Sequence, residues 1–134
     1  MAVIVIVDDD PTVRLIASEL LRHDDHVVVE AADGAEALAV IGSMAVDLVV
    51  LDMLMPNKDG VETIGELRRS YPHIRILAIS SRGRVGADQL LRTAMMLGAD
   101  DTLVKPLRLD TFARSVARLL DLPRAAQPPR RESL

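Results

Sequence analysis

Short apolar runs rich in β-branched residues alternate along the chain with longer segments of helical periodicity. The apolar runs predict five strands, over residues 3–7, 27–31, 47–51, 74–79 and 102–104. The segments that follow them place apolar residues at helical spacing, which predicts five helices. Because each predicted strand leads through a short loop into a predicted helix, the order is typical of an α/β fold, a parallel sheet wound on both faces.

Apolar positions within the helical segments predict which side chains face the sheet. The first helix is expected to begin at Asp10 and Pro11, because aspartate accepts a free backbone N–H at a helix start and proline fits the first turn. The predicted inward residues, helix by helix, are Val13, Ile16, Ala17 and Leu20; Ala37, Leu38 and Ile41; Ile64 and Leu67; Leu90, Leu91, Ala94 and Met95; Phe112, Val116 and Leu119.

Length and composition are those of one globular domain. The chain has 134 residues, of which 49% are hydrophobic, enough for a single core. All predicted elements lie within residues 1–122, which we expect to form that domain. Residues 123–134 contain proline and arginine without a periodic apolar face, which predicts a disordered tail or linker.

Several classes of protein do not fit the composition. The chain has no cysteine, which excludes disulfides and thiolate metal sites. No apolar run is long enough to span a membrane, and the first run is short and lacks a basic flank, so we expect a cytoplasmic protein without membrane attachment. The net charge of −4 and the scarcity of aromatic residues argue against direct nucleic-acid binding.

Polar residues stand where four of the predicted strands end. Asp8 and Asp9 follow the first strand, Asp52 the third, Ser80 the fourth and Lys105 the fifth. Parallel strands direct their carboxyl ends to one edge of the sheet, which is where α/β folds bind ligands. We therefore expect these five side chains to converge, although each alone could be a turn cap or a surface residue.

Such a group of residues has the composition of a phosphoryl-transfer site. Three nearby carboxylates repel one another, so they take up protons or bind a cation. Oxygen ligands without histidine or cysteine favour Mg²⁺. The Lys105 ammonium and the Ser80 hydroxyl could stabilise a transferring phosphoryl group while Asp52 attacks it and forms an acyl phosphate.

The motifs at these strand ends resemble those of the receiver domains of bacterial two-component response regulators. The matching stretches are residues 7–11 (VDDDP), 51–56 (LDMLMP) with Asp59 and Gly60, Ser80 and Ser81, residues 98–101 (GADD), and Lys105 and Pro106. The resemblance covers residues 1–122 and implies a flavodoxin-like sheet of strand order 2-1-3-4-5. It also implies a signalling switch that takes a phosphoryl group from a sensor histidine kinase or a phosphotransfer protein and acts on an unknown downstream target.

Site roles follow from the resemblance residue by residue. It assigns phosphate acceptance to Asp52, the Mg²⁺ ligands to Asp9, Asp52 and the Leu54 carbonyl with Asp8 assisting through water, and the phosphoryl contacts to Lys105 and Ser80. It further implies a cis peptide bond between Lys105 and Pro106. By this interpretation the chain is not an enzyme beyond catalysing its own phosphorylation and dephosphorylation.

Thr102 departs from the family pattern, which usually has an aromatic residue or histidine three positions before the lysine. A small hydroxyl cannot fill the pocket of a ring, so we expect activation to proceed through loop shifts around Ser80 and the fourth helix. A homodimer through helix four, strand five and helix five is a further expectation. With no output domain in the sequence, the chain is expected to be a stand-alone receiver or a fragment of a longer protein.

Three other functions remain open at this point. An aspartate-nucleophile phosphatase usually needs a second acid two residues after the nucleophile, where this chain has Leu54. A flavin or nucleotide binder would need an anion cradle after strand one, where Asp8, Asp9 and Asp10 would repel a phosphate. A receiver-like interaction module that never carries phosphate is compatible with Thr102.

Overall fold

A computed structural model describes residues 1–55, 59–81 and 86–123. Within these residues the element order is β1 (Val3–Val7), α1 (Pro11–His23), β2 (Val27–Ala31), α2 (Gly34–Ser43), β3 (Leu48–Asp52), α3 (Gly60–Ser70), β4 (Arg75–Ser81), α4 (Ala87–Leu97), β5 (Asp101–Lys105) and α5 (Leu109–Leu120). The predicted alternation of strands and helices is confirmed. Most of the predicted turn over 56–60 and residues 124–134 of the predicted tail lie outside the described residues. No helix in the described part is long and apolar enough to cross a membrane.

The five strands form one parallel sheet in the order β2-β1-β3-β4-β5. This order confirms the expectation drawn from the family resemblance. Its register pairs Val7 with Leu51, Asp52 with Ile79, and residue 81 with Lys105. The carboxyl ends of β1, β3, β4 and β5 therefore lie side by side along one edge.

Alternate residues of the central strands pack against helices on opposite faces of the sheet. One core contains Val5, Val49 and Ile76 together with residues of α2, α3 and α4. The other contains Ile4 and Leu77 with residues of α1 and α5. Because both faces are covered, the strands are apolar at nearly every position, which explains the continuous hydrophobic runs in the sequence.

The prediction that a side chain faces the sheet is wrong for two of the helical residues. Ile16 on α1 and Met95 on α4 are each 47% exposed. The buried residues of α1 are Ala17, Ser18 and Leu21. Ser18 is therefore buried, although periodicity favoured Ile16 for the inward face. The apolar stripes of these helices are wider than the faces that the sheet covers, and hydrophobicity alone does not locate the centre of such a stripe.

Aspartates begin three of the helices that follow the strands. The side chains of Asp10, Asp33 and Asp59 accept hydrogen bonds from the backbone N–H groups of residues 12, 36 and 62. The predicted start of α1 at Asp10 and Pro11 is confirmed. These caps satisfy N–H groups that the first helical turn leaves free.

Gly60 lies where α3 starts directly against the end of β3. A Cβ atom there would lie 2.6 Å from Met53 Cα and 3.0 Å from the Asp52 carbonyl oxygen. We predict that Gly60→Ala lowers the free energy of unfolding by about 1–3 kcal/mol, because the backbone next to the site must move. Urea unfolding followed by circular dichroism measures the change.

Gly65→Ala in the same helix is the matched control. Its Cβ would meet only the end of the flexible Arg69 side chain, at 3.4 Å. Alanine favours a helix over glycine by up to about 1 kcal/mol, so this variant should be as stable as wild type or more stable. Equal effects of the two substitutions would contradict the close packing of Gly60.

Candidate functional site

Three aspartates meet at the carboxyl edge of the sheet. Asp8 directly follows β1 and is fully buried, Asp52 ends β3 and is 4% exposed, and Asp9 is exposed. One carboxylate oxygen from each lies within 4.8 Å of the others. The predicted convergence of these side chains is therefore present, and it places three acidic groups within reach of one ion.

Lys105 brings a positive charge into the same group from the end of β5. Its Nζ lies 2.6 Å from Asp8 Oδ2 and 3.5 Å from Asp52 Oδ2. The Lys105 side chain is only 12% exposed, so both contacts act in a poorly solvated environment. The peptide bond that follows, to Pro106, is cis, as the resemblance implied.

Asp8 is held through its backbone as well as its carboxylate. Its N–H donates to the Ala31 carbonyl at 3.1 Å, and its own carbonyl accepts from Arg14 Nη1 at 2.8 Å. Its Oδ1 accepts from the backbone N–H of Asp10 at 2.9 Å, while its Oδ2 contacts Lys105. Both carboxylate oxygens of Asp8 are thus engaged within the protein.

Arg14 was not among the residues predicted for the site. The sequence has no signal for its contact, because the partner at the strand end is a backbone carbonyl and every residue has one. Ser80 was predicted and is only 1% exposed, on β4 next to the residue that pairs with Asp52. Among the described residues, the Ser80 Oγ has no hydrogen-bond partner. A buried hydroxyl without a partner is suited to contact a bound group.

The other predicted ligand, Leu54, lies just beyond β3. Its backbone N–H donates to Asp52 Oδ1 at 3.3 Å, and its side chain is 38% exposed. This hydrogen bond engages one oxygen of the Asp52 carboxylate, and Lys105 contacts the other. The Leu54 N–H therefore belongs to the immediate surroundings of Asp52, and the role of the Leu54 carbonyl as a metal ligand stays a prediction.

Burial and charge shift the protonation equilibria of the central groups. Burial, followed by the nearby negative charge of Asp8, raises the pKa of Asp52 from 3.8 to about 6, although Lys105 and the Leu54 N–H oppose the shift. Burial lowers the pKa of Lys105, but the short contact with Asp8 and the charges of both carboxylates outweigh it and raise that pKa overall. Lys105 therefore stays charged, and the group keeps an excess of negative charge at neutral pH.

These donors fit a hard divalent cation. Asp8, Asp9 and Asp52 offer only oxygen atoms, and after burial the charge of Asp8 contributes to the raised pKa of Asp52 despite the contact with Lys105. Mg²⁺ accepts such ligands and retains water molecules and positions for phosphate oxygens. The described site thus has the chemistry expected for Mg²⁺ and a phosphoryl group.

Thr102 lies on β5, half-buried and paired in register with Ala78. It lines an open groove of about 450 Å³ together with Leu91 and Met95 of α4 and Val104 of β5. No ring occupies this strand position, in line with the departure noted in the sequence.

Fold and site together define the class of protein. The strand order, the acidic group at the carboxyl edge and the lysine opposite it are the features expected of a receiver domain. The sequence matches the response regulator receiver domain over residues 4–117. The chain therefore belongs to the response regulator receiver domain family.

Individual relatives agree with this assignment. The chain is 35% identical over 131 residues to the transcriptional regulatory protein TcrA of Mycobacterium tuberculosis, which covers 98% of this chain and 49% of that protein. It thus spans about half the length of this curated relative. The crystal structure of the receiver domain of NtrX from Brucella abortus matches with a TM-score of 0.83 and 28% identity, over 90% of this chain and 99% of that one.

A second similar structure was solved with a bound ligand. The response regulator protein TrrA from Thermotoga maritima, in complex with Mg²⁺-BeF, matches with a TM-score of 0.76 and 30% identity. The match covers 89% of this chain and 99% of that one. Family and fold assignments therefore rest on sequence and structure independently.

The pKa of Asp52 predicts how stability depends on pH in metal-free protein. The folded state binds the Asp52 proton more tightly than the unfolded state, whose pKa is near 3.8. Stability should therefore fall as the pH rises from about 4 to about 6. In EDTA, we expect Asp52→Asn to be more stable than wild type at about pH 7.5, by up to about 3 kcal/mol, and the difference to shrink at about pH 5.

Urea unfolding at the two pH values tests this expectation. Glu19→Gln, which removes an exposed carboxylate from α1, is the control and should leave the pH dependence unchanged. An Asp52→Asn protein with the same pH dependence as wild type would contradict the assigned pKa shift.

Proposed function

We propose that this receiver domain is a phosphorylation-dependent switch of a two-component phosphorelay, with Asp52 as the phosphate acceptor. The observation that supports it most is the position of the Lys105 ammonium, in contact with both Asp8 and Asp52. A fixed cation beside a nucleophilic carboxylate can stabilise the charge on a transferring phosphoryl group. Family membership supports phosphorylation-dependent signalling in general.

The reaction requires an ionised Asp52. With a pKa of about 6, this carboxylate is ionised at neutral pH but is poorly compensated, which favours attack on an electrophile. One carboxylate oxygen forms a bond to phosphorus, the bond between phosphorus and the donor's histidine nitrogen breaks, and the electron pair returns to the imidazole. Lys105 would pair with a phosphoryl oxygen, and the buried Ser80 hydroxyl would donate to another.

Mg²⁺ would be held by Asp9, Asp52 and the Leu54 carbonyl, with Asp8 acting through water. The contacts of Asp8 support this division, because its two oxygens are held at 2.9 Å and 2.6 Å, whereas those of Asp52 have looser contacts of 3.3 Å and 3.5 Å. When bound, the ion would supply the positive charge that the three carboxylates lack and would bind a phosphoryl oxygen. The relative TrrA was solved with Mg²⁺-BeF, which agrees with this proposal for the present chain.

A phosphatase acting on diffusible substrates is the second candidate. Leu54 stands where such an enzyme would need an acid, and its apolar side chain cannot protonate a leaving group. We therefore propose no catalysis beyond the domain's own phosphorylation and dephosphorylation. A flavin or nucleotide binder is disfavoured by the buried negative charge of Asp8 at the end of β1.

Partners follow from the proposed chemistry. The donor would be a sensor histidine kinase or a phosphotransfer protein, and the downstream target would be a protein that the sequence does not identify. A cytoplasmic location and the absence of direct nucleic-acid binding stay predictions, as do a domain ending at residue 122 and a disordered tail after it.

Thr102 and the open groove beside it are compatible with activation through shifts around Ser80 and α4.

The face formed by α4, β5 and α5 has features suited to a homodimer. Met95 and Met96 of α4 and Val104 of β5 are exposed there. Asp101 and Arg118 form an ion pair of 2.6 Å on the same face, so it offers both signs of charge to a symmetric partner. We propose that phosphorylation promotes pairing through this face.

The first test of the switch is phosphorylation by a small donor. Incubation with Mg²⁺ and acetyl phosphate should add one phosphoryl group per chain, measured by intact-protein mass spectrometry, and EDTA should prevent it. Asp52→Asn should remain unlabelled. Equal labelling of Asp52→Asn and wild type would refute the assigned acceptor.

Ser80 and its neighbour Ser81 give a matched pair for the phosphoryl contact. Ser80→Ala removes the buried hydroxyl and should slow labelling by roughly a hundredfold, as expected for one lost transition-state donor. Ser81→Ala changes a half-buried hydroxyl one position along β4 and should label at the wild-type rate. Equal rates for the two variants would contradict the role of Ser80.

The dimer is tested by sedimentation with and without beryllofluoride and Mg²⁺. Wild type should shift from monomer toward dimer when the phosphate mimic is added. Met96→Glu places a charge on the proposed interface and should stay monomeric. Met44→Glu, at the exposed end of α2, is the control and should dimerise like wild type. A mimic-loaded wild type that remains monomeric would contradict this proposal.

A further inference from the structure

We propose that Arg14 is a positioning residue for the metal-binding edge of the site, and that Glu30 holds it in place. The inference rests on the proposed function, since it concerns how Asp9 is presented to Mg²⁺. Neither Arg14 nor Glu30 belongs to the residues that would contact the phosphoryl group or the ion.

Arg14 uses two edges of its guanidinium group. Its Nη1 donates to the Asp8 carbonyl oxygen at 2.8 Å, and its Nε donates to Glu30 Oε1 at 3.2 Å. The Arg14 side chain is only 20% exposed, and that of Glu30 is 35% exposed. Glu30 lies on β2 in register with Ile6 of β1, so the pair connects α1, the end of β1 and the neighbouring strand.

The Asp8 carbonyl belongs to the peptide unit that leads into Asp9. Peptide units are planar, so a hydrogen bond that fixes this carbonyl also fixes the N–H side of Asp9 and restricts where its Cβ points. The Asp9 side chain is exposed and is not packed into a core that could orient it. Arg14 thus limits the directions available to the Asp9 carboxylate without touching it.

Three other contacts fix the N–H and the carboxylate of Asp8. The hydrogen bond from Arg14 is the described contact that fixes its carbonyl group. Its N–H is bound by Ala31, and its carboxylate by Asp10 and Lys105. Without Arg14, the peptide between residues 8 and 9 could rotate while Asp8 keeps those contacts. The expected result is a less organised ligand set and weaker Mg²⁺ binding.

Whether Mg²⁺ binding becomes weaker or stronger when Arg14 is replaced distinguishes a positioning role from an effect of its charge. Arg14 is a cation close to a proposed cation site, so its charge alone opposes Mg²⁺ binding. If charge were its main influence, replacing it by a neutral residue would strengthen Mg²⁺ binding. A positioning role predicts the opposite sign.

Isothermal titration with Mg²⁺ alone measures the affinity directly, with the full chain at neutral pH. Arg14→Met should weaken Mg²⁺ binding by about tenfold or more, the range seen when groups that orient metal ligands are lost. Arg14→Lys keeps the charge but lacks the fork that reaches two acceptors, so it should also bind more weakly than wild type. Arg22→Met, an exposed arginine in the same helix, should change the affinity by less than about twofold.

Glu30→Gln provides a variant that leaves Arg14 in place. It weakens the support of the guanidinium and should reduce Mg²⁺ affinity by less than Arg14→Met does. Thermal unfolding in EDTA reports any purely structural loss, and this loss should not track the change in Mg²⁺ affinity across the variants. Should Arg14→Met fail to fold, Arg14→Lys and Glu30→Gln decide the question.

Two results would overturn the inference. Wild-type Mg²⁺ affinity, or a tighter one, in folded Arg14→Met or Arg14→Lys would show that Arg14 does not position the site, while the proposed function would stand. A wild-type protein that binds no Mg²⁺ would refute the metal part of the proposed function, and this inference with it.

Discussion

The contact between Lys105 and the two buried aspartates is the interaction on which the site depends. A fully buried Asp8 is stable only if its charge is compensated, and Lys105 Nζ at 2.6 Å supplies that compensation. The same ammonium reaches Asp52 at 3.5 Å, a looser contact that leaves this second carboxylate less neutralised. One lysine thus compensates Asp8 closely and Asp52, the proposed phosphate acceptor, less closely.

This unequal sharing explains why similar aspartates at one strand edge differ in their properties. The oxygens of Asp8 have contacts of 2.9 Å and 2.6 Å, whereas those of Asp52 have contacts of 3.3 Å and 3.5 Å. The pKa of Asp52 is raised to about 6 by burial and by the charge of Asp8. Burial, followed by the charge of Asp8, opposes the ionised form of Asp52 in the metal-free protein, and a bound cation would reduce the repulsion between the two carboxylates. Folding and the proposed chemistry are therefore linked through the same three side chains.

The main features of the fold followed from local patterns. Apolar runs such as 48–51 mark strands buried on both faces, and the positions of Asp8, Asp52 and Lys105 at strand ends were enough to predict their convergence. The strand order came from the family resemblance, since periodicity does not specify which strands are neighbours.

Other features depend on tertiary contacts that no local pattern contains. Ile16 and Met95 lie outside the buried faces because the sheet and adjacent helices cover only part of each apolar stripe. The role of Arg14 depends on a backbone carbonyl, and every residue has one, so composition could not single it out. The buried Ser80 hydroxyl was located by sequence, but its lack of a described partner is a property of the packing.

A crystal structure of the protein with Mg²⁺ and beryllofluoride would test the central claim most directly. We expect the beryllium group on the Asp52 carboxylate, with Lys105 moved from Asp8 toward a fluorine atom and the Ser80 hydroxyl in contact with another. We also expect Mg²⁺ bound by Asp9 and Asp52. A beryllofluoride group bound elsewhere, or one on Asp52 without contact to Lys105, would contradict the account.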